Sequence, residues 1–175
     1  MPLLKNNQFV EDDFVALADD AALPADGSII ISLSRLTADW MQVSARKLRC
    51  GLRLGNTDKV EIVARMMGKL ALIILPFPAF GDGRSYSLAR QLRLDGYKGE
   101  LRAEGNVLPD QLQLMRQVGF DSFAVSDRFP LGVWQAAPQQ MSLSYQRGLV
   151  CDREVEVWSQ RHRGINEWEV PAHGD

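Results

Sequence analysis

The chain has 175 residues, 46% of them hydrophobic, and a net charge of −2 with a pI near 5.7. That length fits one domain with a single buried core, and so balanced a charge supplies no positive field for nucleic acid or an anionic membrane surface. No apolar run approaches the roughly 18 residues of a membrane span, and Met1 to Asn7 lacks the apolar core of a signal peptide, so a cytoplasmic address is expected, with neither nucleic acid nor membrane as partner.

Residues 1–28 are acidic and rich in turn formers, ending in Leu23-Pro24-Ala25-Asp26-Gly27-Ser28, and are expected to form an N-terminal arm. An α/β domain is expected over 29–150. It opens on the β-branched run Ile29 to Leu33, of strand length. Thr37 is placed to cap a helix through Asp39, Trp40, Val43 and Leu48, and Cys50 to Leu54 reads as a second strand. Asn56 or Thr57 caps a helix over Lys59 to Met67, with Asp58 and Glu61 at its positive end and Gly68 as its stop. Leu70 to Leu75 is a third strand, Ser87 to Leu94 a helix, the segment around Leu101 a fourth strand, Val107 to Val118 a helix stopped by Gly119, and Ser122 to Val125 a fifth strand. Trp134 to Tyr145 is a further helical pattern, and 151–175 a polar tail in which Val155 and Val157 could add an edge strand. This alternation predicts a single α/β domain with a mainly parallel sheet of about five strands and flanking helices; a partial β/α barrel is the alternative, because successive β-α units generate either form.

Cys50 and Cys151 lie about a hundred residues apart without any C-x-x-C pair, so no disulfide framework is expected. With His162 and His173 both in the tail, the spacing suggests neither a metal site nor a cofactor.

A parallel sheet carries the loops after its strands to one edge, where ligands of such folds sit. The first loop, Pro76 to Ser87, contains Gly81-Asp82-Gly83-Arg84-Ser85 between a buried strand and a helix. Backbone N–H groups, Arg84 and the Ser85 hydroxyl there could hold an anion, but neither a dinucleotide fingerprint nor a G-K-[ST] loop is complete. The plainer use of the loop is a turn with Asp82 or Ser85 capping the helix. Arg84, Arg90 and Arg93 read chiefly as solvated. Arg102, embedded in a strand, needs a partner, and Glu100 and Glu104 share its parity, so an ion-pair cluster is expected on that face. Around the second loop, Glu104, Asn106, Asp110 and Gln111 gather; Asn106 as N-cap, Pro109 in the first turn and Asp110 beside the dipole account for most of them. Asp127 follows the fifth strand to the same edge. Phe77, Phe80 and Tyr86 are expected mainly in packing. The candidate ligand-binding set is therefore Asp82, Gly83, Arg84, Ser85, Ser87, Arg102, Glu104, Asn106, Asp110, Gln111 and Asp127.

Three stretches, Phe77-Pro78-Ala79-Phe80-Gly81-Asp82-Gly83-Arg84-Ser85-Tyr86-Ser87-Leu88-Ala89-Arg90-Gln91-Leu92-Arg93, Gly99 to Gln111 and Gly119 to Phe123, resemble an uncharacterised bacterial family commonly labelled a probable oxidoreductase involved in sulfite reduction. The resemblance is specific over Leu70 to Val125 and weaker over Ile29 to Leu54. It departs from the family pattern at Gly81, Ser85, Asn106 and Pro109, where Thr, Gly, Asp and a basic residue are usual. It implies a role beside assimilatory sulfite reductase. Sulfite reduction by sirohaem and a coupled iron–sulfur cluster takes four cysteine ligands, and this chain has two, so it is not that catalytic subunit. The expectation is an accessory protein that binds the reductase, its electron donor or a small anionic metabolite. A small metal-independent enzyme acting on an anionic or phosphorylated metabolite and a purely structural interaction protein are the rivals.

Overall fold

The computed structural model describes residues 1–45, 49–55, 57–58, 60–137, 143–144 and 155–156. Eight strands form one sheet, and six of them are parallel neighbours in chain order: β3 (Phe14–Ala16), β4 (Ser28–Ser32), β5 (Cys50–Arg53), β6 (Leu70–Phe77), β7 (Glu100–Gly105) and β8 (Ser122–Ala124). Beyond β8 the sheet continues with β1 (Leu3–Lys5) and then β2 (Gln8–Val10), each antiparallel to its neighbour. The sheet is thus larger than the five strands expected from the sequence, because the first 28 residues supply three strands to it. Asn6 and Asn7, both at positive φ (52° and 63°), make the two-residue turn that joins β1 to β2, the conformation that a tight hairpin requires and that Asn tolerates.

Strand parity separates two faces. Ile29, Ile31, Leu52, Ile73, Leu75, Phe77, Leu101, Ala103 and Phe123 point to the outer face, where they pack with Leu36, Val43, Val60, Val63, Ala89, Leu92, Leu112, Met115 and Trp134 from the helices. The inner cluster is smaller: Phe14, Ile30, Leu72 and Ile74, all from strands. Helices on one face only, with strands in chain order, make a half-barrel. The curvature follows from chain length. β2 and β3 are the two edges of the sheet, yet only Glu11, Asp12 and Asp13 separate them. Laid flat, seven strand spacings would hold those edges roughly 34 Å apart, while Val10 to Phe14 spans at most about 14 Å. The sheet curls until its edges approach, and the 11–13 link crosses its inner side.

The helices are α1 (Leu33–Ala38), α2 (Trp40–Ala45), α3 (Val60–Ala64), α4 (Arg84–Leu94), α5 (Leu112–Gln117) and α6 (Leu131–Ala136). Several begin elsewhere than the sequence suggests. Ser32, and not Thr37, caps α1 by accepting from the Arg35 N–H, while the Thr37 hydroxyl turns back to the Leu33 and Ser34 carbonyls. Asn106 caps nothing with its side chain: a 3-10 turn over Pro109–Gln111 starts from Leu108, whose N–H donates to the Gln111 side chain, and α5 follows. Asp58 accepts from the Gly55 N–H in the turn before α3; Asn56 and Lys59 lie outside the described residues. The helix expected from Trp134 starts earlier, at Leu131, and part of its predicted range is strand: β9 (Leu143–Ser144) pairs in parallel with β10 (Val155–Glu156) as a separate two-stranded sheet. Among the described residues no helix is long and apolar enough to cross a membrane.

Candidate functional site

The loop after β6 turns into α4 through local bonds. The Asp82 carboxylate accepts from the Arg84 backbone N–H at 3.2 Å and from its guanidinium at 3.0 and 2.7 Å, so Arg84 lies along the loop with its side chain 57% exposed. Ser85 is buried and donates to the Pro76 carbonyl at 2.6 Å, tying the first turn of α4 back to the end of β6. Gly83 and Ser87 are exposed. In the loop after β7, Asn106 and Asp110 are exposed and Gln111 is committed to the turn at Leu108. Glu104 forms a two-pronged bond, 2.9 Å on each side, with Arg53 across β6, and Asp127 is exposed after β8. The carboxyl ends of the strands therefore hold separate pairs. Phe77 is buried and meets Tyr86 edge-on at 5.2 Å, while Phe80 is 58% exposed. Burial raises the Tyr86 phenol, and the Asp110 carboxylate raises it further.

Arg102 leaves this edge. It points to the inner face, where it is only 3% exposed, and joins Glu100, the partner expected from strand parity, together with Asp12, Ser122 and Lys5, which sequence reasoning missed. Its Nη1 donates to Asp12 at 2.6 Å, and its Nε and Nη2 donate to one oxygen of Glu100 at 3.3 and 3.1 Å. That oxygen also accepts from the Ser122 hydroxyl at 2.6 Å, and the other Glu100 oxygen accepts from Lys5 at 2.6 Å. The geometry follows from register: Arg102 pairs with Ser122, and Ser122 with Lys5, so the three stand in one row across β7, β8 and β1. Two guanidiniums approach the Phe14 ring, Arg49 at 4.7 Å and Arg102 at 5.8 Å from its centroid. Burial pushes the Glu100 carboxyl up, but the bonds from Lys5 and Ser122 and the charge of Arg102 outweigh it and hold the group below the usual glutamate range.

Around this network lies a cavity of about 220 Å³, toward the amino ends of β3, β5 and β7. Leu3, Val10 and Phe14 give it apolar wall; Lys5, Arg49 and Arg102 bring positive charge; Glu11, Asp12, Asp13 and Glu100 bring negative charge. Only Arg102 of the eleven sequence candidates lines it. The missed signal was Asn6-Asn7: a hairpin there places Lys5 beside β8 and sends the acidic link over the inner face. Among the described residues no group of three or more His, Cys, Asp or Glu could hold a metal ion; Cys50 is buried, and Cys151, His162 and His173 lie outside the described residues.

Residues 51–155 hold most of this architecture, running from β5 through the whole of β6, β7 and β8 and including both Glu100 and Arg102. No curated protein matches the chain. A family model covers residues 51–155, well over half of the sequence, and the chain belongs to that family, the bacterial proteins of unknown function designated DUF934.

Proposed function

We propose that the chain is an accessory protein of assimilatory sulfite reduction and that it works by binding a small anionic metabolite in the inner-face cavity. The pathway rests on the sequence resemblance over Leu70 to Val125. The binding reading rests on one observation: Arg102, only 3% exposed, lines a cavity that Arg49 and Lys5 also line. Arginine presents a planar fork matched to oxyanions, and in a desolvated setting each such bond is stronger than in water. Size narrows the ligand class. At about 220 Å³ the cavity lies below the roughly 300 to 1,000 Å³ typical of drug-sized ligands, so it suits an inorganic oxyanion or a metabolite of a few heavy atoms.

A second reading has its own support. Each ionic group of the Glu100–Arg102 core already has a protein partner, as in a scaffold that closes the half-barrel and presents its outside to another protein.

Growth and binding separate the two. A strain lacking the protein is expected to grow poorly on sulfate and normally on a reduced sulfur source; normal growth on sulfate would remove the pathway assignment. Added sulfite is expected to raise the melting temperature of the wild type and to raise that of Arg49→Ala less. Co-purification with the reductase without any ligand stabilisation would favour the scaffold reading.

A further inference from the structure

The link from β2 to β3 is exposed at Glu11, Asp12 and Asp13, and it joins the two edges of the sheet over the cavity. At its centre, Asp12 places one carboxylate oxygen 2.6 Å from Nη1 of Arg102, while its other oxygen accepts from the Phe14 N–H at 3.1 Å. The partners are unequal in setting: the Arg102 side chain is 4% exposed and that of Asp12 is 38% exposed. Glu100 holds the inner side of the guanidinium through the strand itself. The outer side is held by a carboxylate on a three-residue tether. Of the five N–H groups of Arg102, three are used by Asp12 and Glu100, so the site retains capacity for more acceptor oxygens than the tether supplies.

We propose that Asp12 is a tethered stand-in for the anionic group of the cavity's ligand, and that a small oxyanion or carboxylate enters by replacing Asp12 on Arg102 and lifting the 11–13 link. This rests on the binding reading above and adds its control. A closed link lowers apparent affinity by the fraction of molecules in which Arg102 is free, and the tether makes Asp12 a competitor at high effective concentration. Arg49, whose side chain is 53% exposed and which pairs loosely with Asp13 at 3.5 Å over the Phe14 ring, stands where a second oxygen of the ligand would be met.

The probe is inorganic sulfate, with acetate as the carboxylate arm, titrated into the full chain near pH 7. Asp12→Asn is expected to bind sulfate about tenfold or more tightly than the wild type. Glu11→Gln removes the same charge from the same link and leaves the Arg102–Asp12 bond in place; it should gain far less, and an equal gain would reduce the effect to general electrostatics and overturn the proposal. The wild type needs no variant to report: at saturating sulfate the amide signals of Glu11, Asp13 and Phe14 should move. Binding of equal strength in wild type and Asp12→Asn, with those amides still, overturns the gate and leaves the cavity reading intact. No binding of either anion to either protein removes both.

Discussion

Arg93 closes over Gly119. Its Nε and Nη2 donate to the Gly119 carbonyl at 3.0 and 2.8 Å, its Nη1 donates to the Tyr97 and Gly99 carbonyls at 2.9 Å each, and Nη2 also reaches Asp121 at 2.6 Å. One side chain thereby ties the end of α4 to the start of β7 and to the turn between α5 and β8. Far from being a solvated surface charge, it is 12% exposed.

Gly119 stops α5 at φ 110°, and a Cβ there would lie 2.5 Å from the Arg93 Cγ. Gly119→Ala is expected to cost about 2 kcal/mol or more, combining left-handed strain with displacement of Arg93. Arg93→Ala leaves three carbonyls short of a donor and should cost roughly 3 kcal/mol. Urea unfolding measures both. A loss below about 1 kcal/mol for Arg93→Ala would mean that water replaces these bonds freely.

Glu100 sets the acid limb of stability. Its carboxyl sits below the ordinary glutamate value of 4.5, because Lys5, Ser122 and Arg102 together outweigh burial. A depressed folded-state pKa contributes stability above the unfolded value and loses it as pH falls through the folded one. The wild type should therefore lose melting temperature as pH drops through and below the usual glutamate range. Glu100→Gln should be less stable at pH 7, by about 3 kcal/mol for a broken, largely buried pair, with a flatter slope below pH 5. Parallel acid limbs in the two proteins would remove Glu100 as the cause.

The outer face of this fold was legible in the sequence because it is written in repeats of period two and near three and four. Ile29 to Ile31 and Leu70 to Leu75 are too apolar and β-branched to be anything but buried strands, and Gly119 marks a helix stop without help from tertiary structure. The inner face was hidden for a physical reason. It is built by short strands, three residues each in β1, β2 and β3, whose pairing is decided by chain closure and not by local composition. Without β1 and the 11–13 link, Arg102 had only Glu100 and Glu104 as visible partners, and the row Arg102–Ser122–Lys5 was beyond reach. Glu104 had the right parity but a different partner, Arg53, which only the alignment of β5 beside β6 reveals.

The loop after β6 provides a test of anion holding against turn building. Ser85 is buried and bonded to the Pro76 carbonyl, so Ser85→Ala should destabilise by about 1 kcal/mol. Arg84 is on the surface, and Arg84→Ala should leave the melting temperature unchanged and leave sulfate binding at the inner cavity unchanged. Loss of sulfate binding in Arg84→Ala would move the site back to the carboxyl edge.

Tyr97 should govern the alkaline limb. It is 3% exposed, and its hydroxyl donates toward the Leu70 and Glu100 carbonyls at 3.3 Å. Burial pushes the phenol far above its ordinary value of 10; the Arg93 charge pulls it back only in part, and Asp121 and Glu100 push it further up. A raised folded-state pKa keeps its stability contribution below the unfolded value and loses it as pH rises past that value toward the folded one. The wild type should thus weaken above about pH 10 as unfolded tyrosine ionises. Tyr97→Phe should be modestly less stable at pH 7, by about 1 kcal/mol for the lost bonds, and more resistant between pH 10 and 11 relative to its own neutral value. Melting curves across that range decide it: if the substitution leaves the alkaline slope untouched, another group carries it.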